Sequence, residues 1–178
     1  MTVSPTQPLD WSHRVTEVAE QGLRVERSAD EAELAAVAAA LELPGCERLE
    51  AKYAVKAIGE GRYRMTGEVR ARLTQACVVT LEPVPARVEE SFEVEFWPGQ
   101  SIPEQPEGEV EVLSLPEIEP IEHGKIAAGR VIFETLSAGL DPFPRKAGAE
   151  LADEDLPAEP DAAAAGPFAA LKKLRNED

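Results

Sequence analysis

From Arg48 onward apolar and polar residues alternate. Leu49, Ala51, Tyr53, Val55 and Ala57 fall on one face, and Arg48, Glu50, Lys52 and Lys56 on the other. A period of two with one polar face is the mark of a half-buried strand. Gly59, Glu60 and Gly61 supply a turn, after which Tyr63, Met65, Val69, Ala71 and Leu73 point one way and Arg62, Arg64, Glu68, Arg70 and Arg72 the other. The two runs predict a hairpin. A third alternating run follows Pro85: Ala86, Val88, Phe92, Val94 and Phe96 oppose Arg87, Glu89, Ser91, Glu93 and Glu95. Three such runs predict an antiparallel meander with one solvated face.

Helical signals flank the meander. Ser28 with Glu31 fits a capping box, and the Ala- and Leu-rich run behind it predicts a helix from about Asp30 to Leu41, ended by Pro44 and Gly45. Ile121, Ala128, Val131, Ile132, Thr135 and Leu136 recur at helical spacing and predict a second helix from about Ile121 to Ala138, weakened by Gly124 and Gly129. Upstream, Val15, Val18, Leu23 and Val25 around Gly22 suit a short strand pair or an extended arm. The Pro- and Glu-rich segment WPGQSIPEQPEGEV reads as a loop, with Val110, Val112 and Leu113 restarting a strand.

The fold class expected is therefore α+β: an antiparallel meander, open or curled towards a barrel, packed by two helices. Residues 1–149 are expected to form one domain. Residues 150–165, acidic and rich in Ala and Pro, read as a flexible linker, and residues 166–178 as a short helix carrying Phe168, Leu171 and Leu174 on one face. A chain of 178 residues is long enough for one domain with a real core.

Composition narrows the chemistry. Cys46 and Cys77 lie 31 apart with no CxxC pair, so two reduced thiols are expected rather than a metal site or cofactor. A Gly-rich phosphate loop, a GxSxG elbow and an HExxH pair are missing, and His13 and His123 stand alone. The carboxylate pairs Glu89/Glu90 and Glu93/Glu95 have no evident reason to be buried, so a non-enzymatic protein is expected. The first residues lack an apolar run behind a basic start, and no stretch reaches the roughly 18 apolar residues of a membrane span, which predicts a cytoplasmic protein that makes no membrane contact.

The net charge of −16 argues against nucleic acid until its distribution is considered. Residues 1–47 carry 3 basic and 9 acidic groups, residues 97–178 carry 7 and 17, but residues 48–96 carry 8 of each. The neutral middle is the meander, and alternation puts Lys52, Lys56, Arg62, Arg64, Arg70 and Arg72 on its solvated face, where guanidiniums could meet successive phosphates. The competing reading is internal: Glu89, Glu93 and Glu95 on the third strand would neutralise Arg70 or Arg72 in cross-strand pairs, each contributing ~0.2–1 kcal/mol. A second basic island, Arg145 and Lys146, sits in DPFPRKAG, where Pro142 and Pro144 stiffen the chain around Phe143.

Between the second and third strands lies TQACVVTLEPV. Cys77, Leu81, Glu82 and Pro83 match the C-x-x-C-L-x-P signature of the YceD family of large ribosomal RNA subunit accumulation proteins, with Thr80 in place of the second cysteine. The order of arm, capped helix, meander, variable loop, IEHGKIAAGRVIFETLSAGLDPFPRKAG and closing PFAAL also resembles that family. The resemblance implies a cytoplasmic role in large-subunit ribosomal RNA accumulation or processing and in ribosome assembly. The implied partners are ribosomal RNA or a pre-ribosomal particle, and a small basic ribosomal protein. It implies no catalytic reaction and supplies no active site. The alternative is an acidic adaptor that holds a basic ribosomal protein without touching RNA.

Overall fold

Three long strands dominate the molecule: β3 (Gly45–Gly59), β4 (Arg62–Ala76) and β5 (Pro83–Pro98), joined as an antiparallel meander. A computed structural model describes residues 7–102 and 117–150, and the chain up to Lys146 makes the unit considered below. The predicted alternation holds. Leu49, Ala51, Tyr53, Val55, Met65, Val69, Ala71, Leu73, Val88, Val94 and Phe96 are buried on one face. Ala57 departs from it and is exposed, because β3 has a register irregularity between Ala57 and Gly59 as it enters the turn. That turn needs three positive φ angles in succession, at Gly59, Glu60 and Gly61, and two glycines take the positions at little steric cost.

Two shorter strands widen the sheet: β2 (Leu23–Ser28) pairs antiparallel with β3, and β6 (Glu117–Ile121) pairs parallel with β5, giving the order β2-β3-β4-β5-β6. The fold is α+β, and the sheet stays open, with β2 and β6 as its edges. The barrel variant of the expectation is thus corrected. A separate two-stranded ladder joins β1 (His13–Arg14) to β7 (Lys125–Ile126).

Helix α1 (Glu31–Ala40) lies by β3. Its capping box is Asp30 with Glu33, not Ser28 with Glu31: the Asp30 side chain accepts from Glu33 N at 2.9 Å, and Glu33 Oε2 accepts from Asp30 N at 3.0 Å. Ser28 is held instead at the end of β2, paired with Glu50.

The second helix is also shorter than predicted. Helix α2 spans Ala128–Ala138, and Ile121 belongs to β6. His123 and Gly124 adopt φ of 51° and 69°, left-handed values that a right-handed helix cannot absorb, so the chain turns there before β7. Gly129, in contrast, sits inside α2 for a packing reason. A Cβ there would lie 2.2 Å from Leu9 O, because the N-terminal arm crosses the helix and Trp11 O accepts from Gly129 N at 2.7 Å.

Helix α2 and the arm roof the apolar face: Leu9, Trp11, Ile126, Val131, Ile132 and Leu136 are buried in one cluster with the sheet. The strand expected at Val110 to Leu113, the linker and the closing helix lie outside the described residues.

Candidate functional site

The strand register decides what the outer face of the sheet can do. Read across the strands, it forms transverse rows: Glu50, Arg70 and Glu89; Lys52, Glu68 and Ser91; Lys56, Arg64 and Glu95. Glu26 extends the second row on β2. Each of these rows mixes signs, and the side chains use the opportunity.

Arg70 bridges Glu89 at 2.8 Å and Glu68 at 3.3 Å, and Lys52 reaches Glu26 at 2.8 Å. Arg64 donates from Nη2 at 2.7 Å and from Nε at 3.2 Å to Glu95 Oε1, with Glu93 3.4 Å from its Nε. Arg62 pairs with Glu60 at 3.0 Å and stacks its guanidinium 4.0 Å from the Trp97 ring centre. Internal neutralisation therefore claims Lys52, Arg62, Arg64 and Arg70. Among the described residues, Lys56 and Arg72 make no ion pair, and both are exposed.

Glu95 corrects the expectation that these carboxylates lie in solvent. Its side chain is only 10% exposed. The hydrogen bonds from Arg64, followed by one from the Trp97 indole at 2.9 Å, hold its carboxyl below the ordinary glutamate value. Arg64 thus serves a partly desolvated carboxylate, and withdrawing it would leave that charge unpaired.

The family-signature segment is a loop between β4 and β5, closed by its own backbone. Cys77 N donates to Glu82 O at 2.8 Å and Leu81 N to Cys77 O at 2.9 Å. The segment after α2 clamps it: Val78 N donates to Pro144 O at 2.9 Å, Lys146 N to Cys77 Sγ at 3.4 Å, and Lys146 Nζ to Glu82 at 2.8 Å.

The Cys77 thiol has no exposed surface. The Lys146 amide first, then the Thr80 hydroxyl and the Thr80 and Val79 amides, pull its pKa down to about 6 against the opposing effect of burial. Thr80, standing where a second signature cysteine would be, thus favours the thiolate of the first. Leu81 and Phe143 are 78% and 74% exposed, and Leu81 holds φ at 59°. Pro83 opens β5. Arg145 is exposed, whereas Lys146 belongs to the clamp. Of the second basic island, then, Lys146 is structural and Arg145 is open to solvent.

The hollow beside this loop, about 520 Å³, is lined largely by apolar groups including Leu41, Leu43, Val78, Leu140 and Pro144, with Gln75 and Asp141 among them. Gln75 is turned to structure, donating to Asp141 O at 2.8 Å. Elsewhere the carboxylates of Glu117, Glu119 and Glu134 approach one another, and Arg130 already bridges Glu119 at 3.3 Å and Glu134 at 2.9 Å. Burial holds the Glu119 carboxyl above its usual value. Among the described residues no helix is long and apolar enough to cross a membrane.

Two residues escaped the reading of the sequence as site candidates: Arg48 and Arg87. Both were placed on the polar face, and the missing signal was register, which aligns them with Arg72.

The model of the family described as large ribosomal RNA subunit accumulation protein YceD matches residues 65–175, from within β4 through α2 and beyond. The arm, α1 and β3, which share in the sequence resemblance, precede the matched stretch. No curated protein and no solved structure matches the chain.

Proposed function

The chain belongs to the YceD family, whose description is large-subunit ribosomal RNA accumulation, and from that premise we propose that it is a non-enzymatic assembly factor acting in the cytoplasm on ribosomal RNA or a pre-ribosomal particle. The observation that carries the reading is the family match itself, which runs over β4, the Cys77 loop, β5 and α2. A binding role suits this stretch better than a catalytic one. The thiol with the lowered pKa is buried and enclosed by backbone donors, and the hollow next to it is mostly apolar.

The test is genetic and quantitative. Depleting the protein should lower the ratio of large- to small-subunit ribosomal RNA, and crosslinking in cells should recover large-subunit sequences. An unchanged ratio on depletion would contradict the reading.

A second reading has its own support: an adaptor that holds a small basic ribosomal protein without RNA contact. Cross-strand glutamates already occupy Lys52, Arg64 and Arg70, and the chain is strongly acidic overall. Association with basic ribosomal proteins that survives nuclease but not high salt would favour the adaptor. Association lost with nuclease would favour RNA contact.

A further inference from the structure

One transverse row of the outer face breaks the pattern of mixed signs. Arg48 on β3 lies directly opposite Arg72 on β4, and Arg72 directly opposite Arg87 on β5. Like charges directly opposite one another destabilise a sheet; Lys56 also faces Arg64, but Glu95 completes that row, whereas no carboxylate completes this one. A row left wholly cationic beside the balanced row Glu50, Arg70 and Glu89 is the kind of exception expected at a functional position.

The row edges a notch of about 260 Å³, lined by the guanidinium-bearing Arg48, Arg70, Arg72 and Arg87 and by Glu50 and Glu89. The two carboxylates are taken. Glu50 holds Arg48 at 2.7 Å and Glu89 holds Arg70 at 2.8 Å. Four cations against two anions leave a surplus of two positive charges, carried by Arg72 and Arg87, which are exposed and pair with no carboxylate among the described residues.

The space is below the roughly 300–1,000 Å³ of small-molecule sites and suits a single tetrahedral anion. Arginine forks bind such groups through paired N–H donors. The row also lies at the end of the strands that carries the Cys77 loop, since Ala76 pairs with Pro83.

We propose that Arg72 and Arg87, flanked by Arg48, form a phosphate-binding notch that engages the backbone of single-stranded RNA. The inference deepens the assembly-factor reading and rests on it for the identity of the anion's carrier. Bound phosphate would relieve the repulsion between the guanidiniums, so the unfavourable row and the ligand account for each other.

The test uses the full chain and two probes, a fluorescent single-stranded oligoribonucleotide and inorganic phosphate. The pair R72Q/R87Q is compared with K52Q/K125Q, which removes the same charge from exposed residues outside the row. RNA affinity should fall about tenfold or more in R72Q/R87Q. The slope of log affinity against log salt should shrink by about 0.7, the value for one phosphate contact on a single strand. K52Q/K125Q should stay within about twofold of the parent. Thermal midpoints guard against misfolding, and R72Q/R87Q should melt at or above the parent temperature.

Unchanged RNA affinity in R72Q/R87Q, or an equal loss in both pairs, overturns the proposal. So does inorganic phosphate perturbing the Arg72 and Arg87 side-chain resonances while RNA binding ignores both substitutions, which would mark a site for free phosphate alone. The two readings fail separately. RNA binding lost in R72Q/R87Q, with ribosomal RNA ratios indifferent to depletion, supports the notch and removes the assembly role. Ratios that depend on the protein while R72Q/R87Q binds RNA normally keep the role and remove the notch.

Discussion

The two faces of the β2–β6 sheet are built on different terms. The inner face is apolar and roofed: Leu49, Val55, Met65, Leu73 and Phe96 pack with Trp11 of the arm and with Val131, Ile132 and Leu136 of α2. The outer face is a grid of charges in which each row is set by the same register that packs the core. Burial makes the inner face the source of stability, because apolar area removed from water is worth about 25 cal/mol per Å², whereas exposed ion pairs contribute little. The outer face instead sets which cations remain available. A count of arginines overstates that availability, since Arg64 and Arg70 are engaged while Arg72 is not.

Substitutions should separate the two faces by size of effect. Phe96→Ala, emptying a fully buried aromatic site on the inner face, is expected to cost about 3–5 kcal/mol by chemical denaturation. Gly129→Ala comes next at about 1–3 kcal/mol, because its Cβ would press on Leu9 O and the arm must move off α2. A loss much below that would mean the arm does not seal the roof as described.

Acid reaches the outer face where substitution of a single pair does less. The carboxyls of Glu95, Glu50 and Glu82 are all held below the ordinary value of 4.5, chiefly by hydrogen bonds from Arg64, Arg48 and Lys146 respectively. A group more acidic when folded stabilises the fold above its unfolded pKa, and that contribution fades as pH falls through the folded value. Stability should therefore drop below about pH 4.5, and Glu95→Gln should flatten that limb in denaturant titrations across pH. Smallest of all, Lys52→Gln should leave the thermal midpoint nearly unmoved, since both Lys52 and Glu26 are more than half exposed. A large drop there would break the contrast between the faces.

The meander was legible because a period of two survives along β3, β4 and β5 with the polar side written in charge. Gly67 is a gap in the middle of the β4 alternation, and Phe92 lies over it: a Cβ at Gly67 would come 2.9 Å from Phe92 Cζ. Elements defined by distant pairing were not legible. Nothing local in EIEPI announces a strand parallel to β5, and helical spacing from Ile121 onward gave no sign of the left-handed pair His123–Gly124 that delays α2.

At the site, the resemblance and the Cys77 motif could be read directly, and the choice between neutralised and free arginines could not. Sliding β4 against β5 by two residues would set Arg72 opposite Glu89 and give the opposite answer. Glu95 escaped for a related reason: its burial comes from Trp97 two residues along and from Arg64 across the ladder, neither visible as apolar pattern.

The central claim, that register decides which cations are free, can be read directly from arginine side-chain hydrogen exchange by nuclear magnetic resonance in the absence of any ligand. Arg64 and Arg70 Nε–H groups should exchange slowly, while those of Arg72 and Arg87 exchange at the rate of free arginine. Equal protection across all four, or protection of Arg72 and Arg87 alone, would contradict the account.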